Sequence, residues 1–144
     1  MAEKTGRCMC GAVSFVAQNV PTNFGACHCE MCRRWTGSAL LEVSVSSKSI
    51  TWQGEIAKRQ SSEWAERAWC PACGTGLYYR VTKEGEWYGS TDIPLGLFDD
   101  LHGFELSHEI FIDHKPDSFA YAEVGQRKLT RQECVEKFGL LDGK

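Results

Sequence analysis

Seven of the eight cysteines in this 144-residue chain fall into three short groups. The groups are Cys8 with Cys10, then Cys27, Cys29 and Cys32, then Cys70 with Cys73. Cys-x-Cys and Cys-x-x-Cys turns present two thiolates on one side of a tight loop, and a tetrahedral zinc ion takes four such ligands. The spacing therefore predicts metal binding, and zinc is the metal that tetrahedral thiolate sites favour.

One division of these cysteines keeps every group whole and completes a tetrahedral set. It yields a four-cysteine cluster of Cys8, Cys10, Cys70 and Cys73, and a three-cysteine cluster of Cys27, Cys29 and Cys32. Four protein ligands are typical of structural zinc, whereas three leave a position for water or substrate, as catalytic zinc does. We therefore expect two zinc ions per chain, the first structural and the second catalytic.

The bulk composition predicts a single soluble domain spanning residues 1–144. Hydrophobic residues make up 42%, charged residues 24%, and the formal net charge is −3, so nothing indicates a nucleic-acid partner. The N-terminal residues do not form a secretory signal, and no apolar run reaches membrane-spanning length. We expect a cytoplasmic protein, and a reducing compartment makes metal binding a better explanation of the cysteines than disulfides.

Short segments rich in β-branched and aromatic residues, separated by turn-forming residues, predict a mainly β fold. The predicted strands cover residues 12–17, 39–45, 49–53, 57–61, 65–69, 77–81, 86–89 and 109–112. Cys70 to Gly74 would then lie between two strands, which is the context of a zinc knuckle at the end of a hairpin. Such a site would tie the N-terminus to the middle of the chain.

Helical signals are confined to two places. A short C-terminal helix is predicted after Thr130, because Glu133 completes a capping box and Gly139 stands where a helix ends. A single helical turn is expected between Cys29 and Trp35. Segment 93–103 is rich in turn-forming residues and is expected to be a long loop that could cover a site.

Three motifs in order resemble one known family: Cys-x-Cys-Gly at residues 8–11, Cys-His-Cys-x-x-Cys-Arg at 27–33 with Thr36-Gly37 just after, and Cys-Pro-x-Cys-Gly-Thr at 70–75. They resemble the glutathione-dependent formaldehyde-activating enzyme family, which includes centromere protein V-like proteins. The resemblance extends over roughly residues 5–125. It implies the Mss4-like (β-tent) fold of zinc-bearing antiparallel sheets, and the same two ligand sets. The implied activity condenses glutathione with formaldehyde, as a carbon-sulfur lyase.

Three thiolates suit this chemistry, because they leave a zinc complex of net charge about −1 that favours a soft thiol over water. A thiol held there would be the nucleophilic thiolate. The groups nearest in sequence that could stabilise the developing alkoxide are Arg33, Arg34, the Thr36 hydroxyl and backbone N–H groups around Gly37. The two arginines could equally bind the carboxylates of glutathione.

Other interpretations stay open at this stage. The chain could be a non-catalytic zinc module that binds a protein partner, and the three-cysteine cluster could act as a redox sensor. A fourth protein ligand could come from one of the four histidines, His28, His102, His108 or His114. Cys134 lies inside the predicted helix and is expected to be a small buried apolar residue.

Overall fold

The computed structural model describes residues 1–139, which form eleven β-strands and two α-helices. The strands are β1 (Ala2–Arg7), β2 (Ser14–Val20), β3 (Asn23–Cys27), β4 (Leu40–Ser46), β5 (Ile50–Gln53), β6 (Ala57–Gln60), β7 (Ala65–Trp69), β8 (Gly76–Val81), β9 (Ser90–Pro94), β10 (Glu105–Ile110) and β11 (Arg127–Leu129). The helices are α1 (Glu30–Thr36) and α2 (Arg131–Phe138). Within the described part of the chain, neither helix has the length and apolar character needed to cross a bilayer.

The strands form two sheets. A three-stranded antiparallel sheet has the order β1-β2-β5, and an eight-stranded sheet has the order β11-β10-β3-β4-β9-β8-β7-β6. The mainly β prediction is confirmed, but the large sheet is mixed, since β10 runs parallel to both β3 and β11. Strands β3 and β10 are far apart in sequence, so no hairpin forces them to be antiparallel. Their carboxyl ends, at Cys27 and Ile110, consequently meet at one edge.

The main core lies between the two sheets. Side chains alternate between the faces of a strand, so Phe15 and Ala17 of β2 point to the same side. There they pack with Val43, Val45 and Ile93 of the large sheet, and all five are at most 4% exposed. Two further apolar cores lie around the three-cysteine cluster and the four-cysteine cluster. Burial in this fold is therefore divided among three small cores.

Two sequence predictions need correction. Segment 86–89 is a turn rather than a strand, and the glycines beside it and at its end, Gly85 and Gly89, have φ of 147° and 83°. Segment 93–103 begins inside β9, buries Phe98 in the main core, and binds β1 through the Asp99 N–H and the Thr5 carbonyl (2.9 Å). This segment therefore packs against β1 as part of the scaffold.

The sequence does not predict strand β3, because residues 23–27 show no strand periodicity. The strand contains Gly25, which weakens a strand signal. The structure explains that glycine: a Cβ at position 25 would lie 2.1 Å from Nε2 of His108 on the neighbouring strand β10. The close approach of these two strands requires a residue without a side chain.

Both helical predictions are confirmed in position. In α2 the Thr130 hydroxyl accepts from the Glu133 N–H (3.2 Å), and the Glu133 carboxylate accepts from the Thr130 N–H (3.3 Å), as a capping box requires. Gly139 ends this helix in the left-handed conformation, with φ of 65°. Helix α1 has seven residues rather than a single turn, because Cys29 caps its start and Gly37 its end.

Candidate metal centres

The four-cysteine cluster has the geometry of a tetrahedral metal site. Its Sγ atoms all lie within 4.8 Å of one another. The Cys8 and Cys10 sulfurs are 3.7 Å apart, and those of Cys10 and Cys70 are 3.9 Å apart. Four sulfurs around zinc, each at about 2.3 Å, would be separated by about 3.8 Å. The donor set therefore fits zinc, and these separations are far longer than the ~2.05 Å of a disulfide.

Two tight turns bring these four sulfurs together. The first, between β1 and β2, is closed by the Cys8 N–H and the Val13 carbonyl (2.9 Å). The second, between β7 and β8, is closed by the Cys70 N–H and the Thr75 carbonyl (2.9 Å). The Met9 N–H donates to the Thr75 hydroxyl (3.1 Å) and joins one turn to the other. The knuckle at a hairpin end predicted from the sequence is present.

Hydrogen bonds and mutual repulsion set the charge of these sulfurs. The Thr75 hydroxyl, 3.1 Å from the Cys73 sulfur, and the Thr75 N–H lower the pKa of Cys73 to about 5. The Ala12 N–H also lowers the pKa of Cys10, but the neighbouring thiols and burial outweigh it and raise that pKa to about 11. Four thiolates this close need a cation among them, which is what a metal ion provides.

The three-cysteine cluster lies at the edge where β3 and β10 end. Its three Sγ atoms also lie within 4.8 Å of one another, and the residues are 0–1% exposed. Cys27 ends β3, Cys29 caps α1, and Cys32 lies in the first turn of that helix. The Cys32 N–H donates to the Cys29 sulfur (3.4 Å), so the cap also fixes the position of a candidate ligand. These sulfurs fit three corners of a tetrahedral zinc site.

Apolar residues enclose the three-cysteine cluster. Leu40, Ile110, Phe111 and Cys134 are buried against it. Phe111 adopts φ of 54°, a left-handed conformation that is unusual for a bulky residue. The chain thus reverses directly after β10 with the Phe111 ring inside the cluster. Cys134 is 0% exposed, in agreement with the prediction of a small buried residue.

One buried arginine contacts this cluster. Nη2 of Arg67, on β7, lies 3.6 Å from the Cys32 sulfur. Its guanidinium lies over the rings of Trp35 (4.7 Å) and Tyr79 (5.0 Å). The cysteine motifs do not predict a role for Arg67, because it lies outside them. The strand segment gives no further signal, because it also contains the charged residue Glu66 beside Arg67.

The groups that the sequence suggested as hydrogen-bond donors to an alkoxide either are exposed or form hydrogen bonds within the end of α1. Arg33 and Arg34 are exposed on α1. The Thr36 hydroxyl donates to the carbonyls of Cys32 (2.9 Å) and Ser38 (2.6 Å). The Gly37 N–H donates to the Arg33 carbonyl (2.8 Å). Thr36 and Gly37 therefore serve to end α1, and the exposed arginines remain as candidate contacts for a carboxylate.

His28 lies between two candidate ligands but is bound elsewhere. Its Nε2 is 2.9 Å from a carboxylate oxygen of Glu109 on β10, and both side chains are 2% exposed. The other Glu109 oxygen accepts from Gln126 (3.2 Å), which also donates to the Ala122 carbonyl (3.0 Å). Burial, followed by the Glu109 charge, raises the pKa of Tyr121, whose ring lies 6.1 Å from that of His28. This network anchors the cysteine loop to segment 121–126.

No histidine in the described residues joins either cluster. The groups that could hold a metal there consist of the seven cysteines alone. His102 is exposed, His108 bonds the Ser107 hydroxyl (2.8 Å), and His114 lies 3.9 Å from Asp113. The fourth position of the three-cysteine cluster therefore has no histidine candidate in residues 1–139.

A cavity of about 590 Å³ opens beside this network. Its lining is Phe24, Phe104, Glu105, Leu106, Tyr121, Ala122 and Val124, and it contains none of the cysteines. Tyr121 connects the cavity with the loop that carries Cys27 and Cys29, through its contact with His28. A ligand in this cavity would therefore contact the supporting network of the cluster.

We expect Glu109→Ala to lower the free energy of unfolding by about 3 kcal/mol, because it leaves buried polar groups of His28 and Gln126 without their acceptor. Urea unfolding of the zinc-loaded protein measures this. Glu123→Ala is the matched control, because Glu123 pairs with Lys128 at the surface and is 75% exposed. Its loss should change stability by less than about 1 kcal/mol. Equal effects of the two substitutions would contradict a structural role for the Glu109 network.

Comparisons with known proteins point to one family. Residues 3–114 match the sequence model of the family described as "Glutathione-dependent formaldehyde-activating enzyme". That range contains all seven cysteines of the two clusters. Over 123 residues the chain is 33% identical to an uncharacterized lyase of Schizosaccharomyces pombe. The aligned residues cover 85% of this chain and 88% of the yeast protein.

Proposed function

Because the chain belongs to the glutathione-dependent formaldehyde-activating enzyme family, we propose that it condenses glutathione, or a related small thiol, with formaldehyde. The family and the lyase name of the yeast relative support a lyase-type enzyme. In the reaction the thiol sulfur bonds to the aldehyde carbon, and the carbonyl electron pair moves to oxygen. The thiol proton ends on that oxygen, so the product is the S-hydroxymethyl adduct and no oxidant is needed.

The observation that carries the proposal is a buried set of three cysteine sulfurs that, in residues 1–139, has no histidine, aspartate, glutamate or fourth cysteine grouped with it as a metal ligand. Cys27, Cys29 and Cys32 would hold a zinc ion, which supplies a position where a soft thiol binds as its nucleophilic thiolate. The four-cysteine cluster would hold a second zinc ion with a structural role. Its four sulfurs complete a tetrahedral set, and its place between two joined turns supports that division.

The chain's own residues supply orientation and exclusion of water. Strand β3 and the cap of α1 fix the directions of the three sulfurs. Leu40, Ile110 and Phe111 keep the surroundings apolar, which strengthens electrostatic interactions at the site. The exposed Arg33 and Arg34 are placed on the same helix as Cys32 and could bind the carboxylates of a peptide-like thiol.

Substrate access requires local movement, because the three cysteines are at most 1% exposed. The half-buried side chains around them are Met31, Trp35, Leu129 and Phe138. Met31 and Trp35 belong to the short helix α1, and Phe138 lies in the last turn of α2. A thiol would reach the cluster after displacement of one of these side chains.

We expect the protein with two zinc ions per chain to accelerate exchange between formaldehyde and S-hydroxymethylglutathione. Two-dimensional exchange NMR measures both directions at equilibrium, and metal analysis gives the zinc content. The control is the same mixture with free zinc at equal concentration. Unchanged exchange with two zinc ions bound would reject this substrate pair. It would favour another thiol and aldehyde, or the alternative of a non-catalytic zinc-binding module that contacts a protein partner.

A further inference from the structure

We propose that Arg67 is a positioning residue for the three-cysteine cluster, whose buried positive charge offsets the net negative charge of the zinc-occupied cluster and so stabilises bound zinc. The proposal rests on the ligand assignment made under the proposed function. It adds a residue from a different strand, β7, that belongs to neither cysteine motif.

Arg67 places a buried positive charge beside the Cys32 sulfur. The residue is 5% exposed, and an ionised group taken out of water is costly unless it is paired. Its Nη2 lies 3.6 Å from the Cys32 sulfur, within hydrogen-bond distance for sulfur. The rings of Trp35 and Tyr79 lie over the guanidinium and add cation–π attraction. The guanidinium is therefore held at the Cys32 sulfur.

The charges of the site support the same conclusion. Three thiolates carry −3 and a zinc ion +2, so the occupied cluster would carry about −1 in an apolar enclosure. Water is nearly absent there, because the three cysteines are 0–1% exposed. The positive charge of Arg67 compensates this remainder. The four-cysteine cluster differs, because Cys10 is exposed and solvent can reach it.

The support for Arg67 is closely packed. Trp35 packs against Gly76 at the start of β8, where an added Cβ would lie 2.9 Å from Cζ2 of the indole ring. Gly76 thus allows the ring to lie against the strand, and Arg67 in turn lies against that ring. A side chain fixed in this manner can hold its charge at one sulfur without loss of further conformational entropy. Residues that contact a metal ligand from behind fix its orientation, and Arg67 has this place beside Cys32.

The test compares Arg67→Met, which removes the charge, with Arg67→Lys, which keeps it. Zinc affinity is measured by competition with a chromophoric chelator, in which the two clusters should give two binding phases. The phase that is absent in Cys29→Ser is the three-cysteine phase. We expect Arg67→Met to weaken that phase by about 10- to 100-fold and leave the four-cysteine phase unchanged. Arg67→Lys should recover most of the affinity. The cobalt(II) thiolate absorption of the three-cysteine cluster should weaken in parallel.

Arg80→Met is the matched control. Arg80 lies on the neighbouring strand β8, with its guanidinium over Tyr78 (4.2 Å) and near Glu66 (3.7 Å). It should change neither zinc phase. Unchanged affinity in Arg67→Met, equal weakening in Arg67→Met and Arg67→Lys, or joint weakening of both phases would overturn the role of Arg67. A parent protein without a three-cysteine phase would instead overturn the proposed function together with this inference.

Discussion

We expect Cys29→Ser to remove one of the two zinc ions and to return formaldehyde exchange to the rate without protein, while the chain stays folded. Two sulfurs and a neutral hydroxyl would remain at the cluster, which is too weak a set to hold zinc as three thiolates do. Without the metal position, the substrate thiol is no longer held in its nucleophilic form. Exchange NMR and metal analysis of the same sample measure both losses.

Serine is the sharper substitution at this position. The Cys29 sulfur caps α1 by accepting the Cys32 N–H, and serine is among the best residues at a helix cap. Cys29→Ser therefore keeps the hydrogen bond and changes only the ligand. Cys29→Ala would also lose the cap, at a cost of about 1 kcal/mol, and would mix a folding effect with the loss of metal.

Cys134→Ala is the control for Cys29→Ser. Cys134 is buried in the same apolar cluster, but its sulfur is not one of the three that lie together. We expect this variant to retain both zinc ions and the full exchange rate, with a small loss of stability from the missing sulfur. Unfolding of Cys29→Ser would instead mean that both zinc ions are structural. Full activity in Cys29→Ser would place the chemistry elsewhere.

The sequence predicted the two clusters because ligand spacing is a local property. A Cys-x-Cys or Cys-x-x-Cys turn presents two sulfurs whatever surrounds it, so the spacing within three groups was enough to divide seven cysteines into the two sets that lie together in space. The capping box at Thr130 is equally local, since its two hydrogen bonds join residues three apart. Both features were therefore visible before the fold was known.

The supporting residues could not be predicted, because their partners are distant in sequence. His28 meets Glu109 only because β3 and β10 pair in parallel. No turn motif in the sequence predicts that pairing. Arg67 meets Cys32 only because the hairpin of β7 and β8 packs beside α1. Local spacing identified the atoms that could hold the metal, and the sheet order supplied the groups that position and neutralise them.

The strand order also links the two clusters. Arg67 lies on β7 beside the three-cysteine cluster, and the chain enters the four-cysteine cluster three residues later at Cys70. Trp35 of α1 packs on Gly76, the first residue of β8 after the turn that carries Cys73. Movement of this hairpin would therefore displace both Arg67 and its aromatic support. We therefore expect the three-cysteine cluster to depend on the four-cysteine cluster more than the reverse.

From that asymmetry we expect Cys70→Ala to release both zinc ions and to leave the chain unfolded, whereas Cys29→Ser releases one. Structural zinc contributes roughly 10–16 kcal/mol of apparent binding free energy, which matches or exceeds the ~5–15 kcal/mol stability of a typical domain. Cys70 is 0% exposed in the small core around its cluster, so no solvent or neighbouring residue replaces its sulfur. Circular dichroism during heating and metal analysis measure the two losses.

Met9→Ala is the matched control, because Met9 lies between Cys8 and Cys10 in the same turn and its side chain is 80% exposed. It should keep both zinc ions and the cooperative unfolding transition of the parent. A Cys70→Ala protein that still unfolds cooperatively and retains the zinc of the three-cysteine cluster would show that the clusters are independent. In that case β7 would be held by sheet pairing alone, and Arg67 would keep its position without the metal.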